Sequence, residues 1–363
     1  MEKVLIIIAG LQFGGAERFA VNIAKYAPHG KFQIDYLIFD GLGNEYANEV
    51  EQAGGKVISI PSPRDNYIKY IQRLGRIIKD NKYTVVHSQT QFNNGINMLI
   101  SKRCGVPIRI SHSHTTAHEM RVSGKRKLYE VVMRQMINKY STHRWACGVS
   151  AGNWMFGKRE FQVIHNGIDI HQFSFSEEKR ELIRRQFNLS KDCLVIGHCG
   201  KLSKLKKQEF LIRLMPRILK KRKACLLLIG GGDIEYGEYL KKLAVDCGVN
   251  EHVNFTGAVT NVQDYLSAFD VFAFPSLREG TPLALIEAQV NGLPCVINDT
   301  IPDDAIITDL VKKISIRKAE EWIRFICSEK RDISKHYDDI LKSQGYDIRD
   351  TNSIIYQTYS NNE

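Results

Sequence analysis

Two glutamates, Glu279 and Glu287, with seven residues between them, stand in the segment of this 363-residue chain best built for chemistry. From Phe274 and Pro275 the sequence reads as the end of an apolar strand. A short polar loop carrying Glu279 and Gly280 follows, and then a helix that Thr281 caps and Pro282 opens. Backbone amides over Gly280, Thr281, Pro282 and Leu283 would sit at that helix's N-terminus, where the dipole and free N–H groups favour a phosphate or another anion. Glu287 falls one to two turns inside the helix, too far along the chain for both carboxylates to be assigned to one scissile bond. One carboxylate suits sugar hydroxyls and the other a ribose, although an ordinary capped helix with two solvated glutamates would carry the same residues.

Other segments repeat the anion logic. Gly10–Glu17, with Gly14 and Gly15, follows an apolar strand and precedes a helix, so its backbone can approach a phosphate closely or simply make a tight turn. It fits neither the dinucleotide fingerprint nor the phosphate-binding loop that ends in Lys-Ser/Thr. After a later strand, Gly200 leads into Lys201, Lys204, Lys206 and Lys207, cations placed to neutralise a diphosphate or merely to stay solvated. Gly230-Gly231-Gly232-Asp233 has the form of another close-approach turn. His112-Ser113-His114 ends a strand and His118 follows, but no carboxylate or cysteine beside them completes a metal site, so a polar site role is favoured over a metal.

The elements that must position these residues alternate. Strand-like runs at Val4–Ala9, Ile34–Phe39, Val57–Ile60, Thr84–His87, Ile108–Ser111 and Trp145–Val149 are separated by segments long enough for crossover helices. The pattern restarts with Leu194–Cys199, Cys225–Ile229, Val253–Phe255, Val271–Phe274 and Cys295–Ile297, so two doubly wound α/β domains with parallel sheets are expected. Such sheets bind ligands at the carboxyl ends of their strands, which suggests a cleft between two facing domains. The joint is expected near Gly167–Ser176, and the tail from Asp339 to Tyr359 reads as helical.

Composition narrows the class. Hydrophobic residues make up 43% and charged residues 25%, ordinary for a globular protein and unlike a disordered or collagenous one. Apolar runs such as Val4–Ala9 are far short of the roughly 20 residues of a spanning helix, and the start, with Glu2 and then Gly10 and Gln12, reads as a buried first strand in place of a signal peptide. Eight cysteines without a Cys-x-x-Cys pair fit reduced thiols in the cytoplasm. The net charge of +11 is uneven: residues 1–170 hold 23 Lys/Arg against 13 Asp/Glu, the remainder 28 against 27. Residues 101–159 alone hold 12 basic side chains against Glu119 and Glu130. That concentration points to an anionic partner, a lipid head group or lipid-linked pyrophosphate. A nucleic acid is disfavoured because the basic face lacks interleaved aromatics and any known motif. Within Lys125–Tyr140, Leu128, Val131, Val132, Met136 and Tyr140 follow helical spacing, which serves equally a helix buried on the sheet or one lying on a membrane surface.

The Glu279/Glu287 spacing resembles the Glu-x7-Glu motif of the retaining glycosyltransferases of family 4. Agreement extends to Gly14-Gly15-Ala16-Glu17, Val86-His87-Ser88, His112-Ser113-His114-Thr115, Asn166-Gly167-Ile168-Asp169, the Gly200–Gln208 run, and Asp270-Val271-Phe272 leading into Pro275-Ser276. The similarity runs through nearly the whole chain in order and is strongest toward bacterial enzymes of exopolysaccharide and capsule synthesis, notably across Gly292–Pro302.

The resemblance implies a GT-B fold, two Rossmann-like doubly wound domains facing across a cleft. Residues 1–170 would be the acceptor-side domain, 171–339 the nucleotide-sugar domain, and 340–363 a C-terminal helix that packs back on the first. It implies transfer of a sugar from a nucleotide-diphosphate sugar, of the UDP or GDP type, to a lipid-linked saccharide, with no metal or other cofactor and at the inner face of the cell membrane. In that scheme Lys201 and Lys206 bind the diphosphate beside Gly200. Glu279 and the segment Gly280, Thr281, Pro282 and Leu283 hold the transferred sugar and phosphate, and Glu287 holds the ribose. Gly15 admits the pyrophosphate and His114 sits beside the sugar. Arg121, Lys125, Arg126, Lys127 and Arg134 would serve the acceptor or membrane. Two residues depart from the family pattern: Lys201 replaces an arginine, giving a point charge for a bidentate fork, and His165 replaces a proline before Asn166. A nucleotide-sugar epimerase of the same architecture, or a non-catalytic anion- and membrane-binding protein, remain the alternatives.

Overall fold

Val4 and Ile6 turn to one side of the first strand while Leu5 and Ile7 turn to the other, and all four are buried. A strand covered on both faces belongs in a parallel sheet with helices on either side. In the computed structural model, which describes residues 1–12, 14–115 and 124–360, the chain divides into two such units. Unit 1 is Met1–Gly167 together with Gly345–Glu363, and unit 2 is Ile168–Gln344.

Unit 1 runs β1 (Glu2–Ile7), α1 (Gly15–Lys25), β2 (Phe32–Phe39), α2 (Ala47–Gln52), β3 (Val57–Ile60), α3 (Tyr67–Asn81), β4 (Val85–Ser88), α4 (Asn94–Arg103), β5 (Ile108–Ser113), α5 (Gly124–Tyr140), β6 (His143–Ala146), α6 (Val149–Phe156) and β7 (Gln162–Val163). Its seven strands pair in parallel in the order β3-β2-β1-β4-β5-β6-β7. The run expected as a strand over Trp145–Val149 stops at Ala146, because Gly148 in extended backbone ends it and Val149 opens α6.

Unit 2 runs α7 (Ile170–Phe173), α8 (Glu177–Gln186), β8 (Leu194–Cys199), α9 (Gln208–Leu219), β9 (Ala224–Ile229), α10 (Ile234–Asp246), β10 (Val253–Gly257), α11 (Val262–Ala268), β11 (Val271–Phe274), α12 (Leu283–Val290), β12 (Cys295–Ile297), β13 (Val311–Lys313), α13 (Ala319–Ser328) and α14 (Asp338–Ser343). The six strands are parallel in the order β10-β9-β8-β11-β12-β13. Leu194 and Ile196 of β8 join one core layer and Val195 and Cys199 the other, the alternation of a doubly covered strand.

The tail expected as one helix is two. Gly345, at φ 76°, breaks it, and α15 (Ile348–Ser360) then packs on unit 1, with Ile355 and Tyr359 fully buried in the same core layer as Val4 and Ile6. Gly167 is where the chain leaves unit 1, and a Cβ there would stand 2.7 Å from the Ile348 Cα, so only glycine admits this close approach to α15.

Candidate functional site

Strand order reverses between β8 and β11 in unit 2: the chain winds outward from β8 toward β9 and β10, then returns to β11 on the other side. In open α/β sheets ligands bind at the carboxyl edge of such a switch point. The two loops singled out by the sequence leave from there, the lysine loop after β8 and the Glu279 loop after β11. They are tied together by a bond from the Leu277 amide to the Leu205 carbonyl, 2.8 Å, and by Ser276, whose hydroxyl donates to the Leu205 and Arg278 carbonyls. Asn298, at the end of β12, donates to the Ser276 carbonyl at 3.2 Å and stiffens the same loop from behind.

Lys206 and Glu279 meet at 2.5 Å, with their side chains 22% and 10% exposed. The Lys206 ammonium also lies 5.3 Å from the Phe274 ring, and its aliphatic stem runs past Gly200. Lys201 is exposed and makes no ion pair among the described residues. One cation is therefore docked on the carboxylate and a second stands free on the same loop.

Beyond Glu279 the local geometry differs from expectation. The residue before α12 is Pro282 and no side chain caps the helix, so Thr281 is not its cap. The Leu283 amide is spent in a turn to the Thr281 carbonyl at 3.0 Å, and Pro282 has no N–H, which leaves Gly280 and Thr281 with amides that find no partner among the described residues. Glu287 sits half-buried on the second turn of α12. It is close enough to the Cys199 thiol at the end of β8 that its charge, after burial, holds that thiol's pKa well above the ordinary value. Glu279 and Glu287 thus have different neighbours, Lys206 for one and the β8 terminus for the other. Gly230 and Gly232 are explained by backbone: Cβ atoms there would stand 2.3 Å from the Gly200 carbonyl oxygen and 2.5 Å from that of Leu202. The glycine turn lets the lysine loop lie against it, and the Leu202 amide donates to Gly231 at 2.8 Å.

In unit 1, Gly15 opens α1 just after the β1 exit, with Gly14 extended before it. His114 follows β5. Its residue as a whole is half-buried, but both ring nitrogens are enclosed and unpartnered, and burial pushes its pKa down to about 3 against a smaller opposing effect of Asn166. It is therefore neutral, with its ring tilted against those of His112 and Phe19, 4.0 Å and 4.9 Å between centroids. His112 and His87 are core residues: His87 Nε2 lies 3.1 Å from His112 Nδ1, and His87 Nδ1 lies 2.7 Å from the Tyr359 hydroxyl. The sequence could not join Tyr359 to this row because the partner arrives from the far end of the chain. Among the described residues no group of three or more His, Cys, Asp or Glu is placed to hold a metal ion. His165 donates from Nδ1 to the Cys147 carbonyl at 3.2 Å and stacks on Tyr346, so the residue that departs from the family pattern is built into unit 1.

Among the residues expected to serve an acceptor or membrane, Lys125, Arg126 and Lys127 are exposed on the first turns of α5. Arg126 pairs with Glu130 along the helix. Arg134 is a correction. It donates to the Met155 and Trp154 carbonyls and lies over Phe92, closing the end of α6 in place of offering a free charge. Arg121 and His118 lie outside the described residues. On the same helix Met133 and Ile137 are buried, while Leu128, Val131 and Val132 are 66%, 45% and 41% exposed. The exposed half of the apolar pattern adjoins α3: the Tyr129 hydroxyl has its pKa raised by burial and by the neighbouring Tyr67 hydroxyl, and Ile68 beside Tyr67 is 70% exposed. Among the described residues no helix is long and apolar enough to cross a membrane.

Two family models match this chain: residues 13–172 match the model described as Glycosyltransferase Family 4, and residues 193–328 the model described as Glycosyl transferases group 1. EpsF of Bacillus subtilis, named as a glycosyltransferase, is 29% identical over 371 residues that span 99% of this chain and 96% of EpsF. CapH of Staphylococcus aureus, named as a capsular polysaccharide biosynthesis glycosyltransferase, is 26% identical over 376 residues, 99% of each chain. Among solved structures, HepE of Anabaena, crystallised with UDP and glucose, superposes with a TM-score of 0.80 at 20% identity, over 99% of this chain and 100% of that one.

Proposed function

We propose that this chain, which belongs to the family 4 glycosyltransferases and has their two-domain GT-B fold, moves a sugar from a nucleotide-diphosphate donor onto a lipid-linked saccharide during bacterial surface polysaccharide synthesis. The observation that carries the reading is the meeting of Lys206 with Glu279 at the β8/β11 switch point, beside the unpartnered amides of Gly280 and Thr281. A lysine loop and free amides on neighbouring loops are the groups that would take a diphosphate, and the carboxylate among them suits sugar hydroxyls. HepE, of the same fold, was crystallised with UDP and glucose, which favours a nucleotide sugar as the donor.

In the reaction the bond from the sugar's anomeric carbon to the donor phosphate oxygen breaks, and a bond from the same carbon to an acceptor hydroxyl oxygen forms. The hydroxyl's proton passes to the departing phosphate oxygen, so the products are a nucleoside diphosphate and a lengthened saccharide. Approach of the hydroxyl from the leaving-group face retains the anomeric configuration. Lys201, Lys206 and the loop amides stabilise charge as it develops on the diphosphate, the electrostatic task that a divalent cation performs elsewhere. Glu279 orients the sugar and balances the positive character of its anomeric carbon, Glu287 holds the ribose, Gly15 gives the pyrophosphate room, and neutral His114 offers a hydrogen bond to the sugar.

The acceptor's lipid gives the exposed face of α5 its purpose. Lys125, Arg126 and Lys127 beside Leu128, Val131 and Val132, with Ile68 adjoining, form a basic and apolar surface of the kind that rests on anionic lipid at the cytoplasmic side of a membrane.

The test is thermal stabilisation by a panel of nucleoside diphosphates and nucleotide sugars without added metal. A donor at a hundred times its Kd adds about 2.7 kcal/mol of stability. We expect one UDP- or GDP-sugar to act selectively and the shift to vanish in Glu287→Ala. Stabilisation by none of them, or capture of a covalent glycosyl ester on Glu279, would overturn the reading as written.

A further inference from the structure

Lys201 has no ion pair to hold it, so its position depends on the backbone of its loop. That backbone is gripped by Gln208, the first residue of α9 and fully buried. The Gln208 Nε2 donates to the Lys201 carbonyl at 3.1 Å and lies 3.3 Å from His198 Nε2, while its Oε1 accepts from the Ser203 amide at 3.4 Å. His198, on β8, donates from Nδ1 to the Ala273 carbonyl of β11 at 2.9 Å. Its proton is thereby fixed on Nδ1, and Nε2 is left as an acceptor for the second hydrogen of the Gln208 amide. Each amide hydrogen and the amide oxygen of Gln208, and each ring nitrogen of His198, has one partner, so the amide can face only one way. Burial, with a smaller contribution from the Lys206 charge, lowers the His198 pKa to about 4, so the ring stays neutral and the acceptor stays available. Lys207, just before Gln208, holds a left-handed backbone at φ 56°, a conformation that needs such anchoring in a residue other than glycine.

We infer that His198 and Gln208 form a positioning latch, running from β11 through β8 into the lysine loop, that sets how tightly the nucleoside diphosphate is held. The inference rests on the reading that this loop binds the donor diphosphate. Neither residue touches the reacting atoms; both act through Lys201. Lys206 has an independent hold on Glu279, so loss of the latch moves Lys201 more than it moves the cation paired to the carboxylate. The signature is in binding: diphosphate Kd and donor KM rise, and kcat at saturating donor falls only in so far as Lys201 also stabilises the departing diphosphate. Loss of folded protein alone would lower the apparent kcat and leave KM untouched.

The full-length chain carrying Gln208→Leu, His198→Phe or both is titrated with UDP and GDP by calorimetry and assayed for donor turnover. We expect each single change to raise the diphosphate Kd and the donor KM roughly tenfold, as for one lost hydrogen bond to a positioned group. The double change should weaken it no more than either single one, because the two residues act as one unit. Unchanged Kd and KM in both single variants, or effects that multiply in the double, would overturn the latch. Hydrogen exchange separates this failure from that of the parent reading. If the unaltered protein binds neither UDP nor GDP, the donor assignment falls. The latch is then upheld as a loop anchor by faster exchange of the Leu202, Ser203 and Lys206 amides in Gln208→Leu, and is overturned by unchanged exchange.

Discussion

Lys206 and Glu279 neutralise one another before any donor arrives, so a diphosphate must compete with a carboxylate for the cation. Replacing Glu279 with Gln should therefore leave nucleoside diphosphate affinity equal or tighter while turnover falls on the order of a hundredfold, because the anomeric carbon loses its balancing charge. Weaker diphosphate binding with intact turnover, measured by calorimetry and initial rates, would reverse these roles. Lys206→Met should instead weaken binding and turnover together. The sequence made this pair's members visible as a lysine-rich loop and a Glu-Gly-Thr-Pro segment, but not their contact. That contact depends on β8 and β11 being neighbours, a fact of sheet order and not of chain distance. Thr281 misled for a local reason: it has the chemistry of a cap, yet the turn from Leu283 back to its carbonyl starts the helix without one.

At the scale of elements, the strands of unit 2 were legible almost to the residue, since runs such as Leu194–Cys199 and Val271–Phe274 are apolar on both faces and bounded by polar turns. Short, mixed edge strands were not: Val311–Lys313 and Gln162–Val163 carry little hydrophobic signal. For α5 the period was readable and the direction was not. Leu128, Val131 and Val132 share helical spacing with Met136, but the packing against α4 and α6 covers only the later turns, around Met133 and Ile137. The exposed part supports a prediction for vesicles containing anionic lipid. Changing Lys125, Arg126 and Lys127 to Ala removes about 1 kcal/mol per residue, so sedimentation should report partition reduced on the order of a hundredfold at low salt. Leu128→Glu should weaken binding even at high salt, where the electrostatic part is screened. Equal partition of all variants would remove the membrane from the account.

At the scale of the molecule, buried imidazoles make unit 1 the acid-sensitive unit. Burial holds His87 and His112 well below the ordinary value and His114 at about 3, while unit 2 places His198 at about 4. In the unfolded chain each protonates near 6.5. Between the folded and unfolded values the unfolded chain binds more protons, so stability rises with pH across that window and is lost as pH falls below about 6.5, by up to about 1.4 kcal/mol per unit for each histidine. Segment-resolved hydrogen exchange between about pH 7 and pH 5 should show protection falling more steeply in unit 1 than in unit 2, and equal slopes would count against it. Tyr359→Phe removes the hydroxyl that satisfies His87 Nδ1 and should cost unit 1 about 1–3 kcal/mol in denaturant titration. The placement of Tyr359 also bears on synthesis. Unit 2 is one continuous stretch, whereas unit 1 lacks α15 until everything from Ile168 to Gln344 has been translated. As the nascent polypeptide leaves the ribosome at roughly 5–20 residues per second, the first unit to begin emerging is the last that can finish its core, and it waits many seconds with the α15 face of its sheet uncovered. A premature stop codon shortly after Gly345 would spare every residue assigned to the donor yet leave a protein whose first-made half is a client for chaperones and proteases.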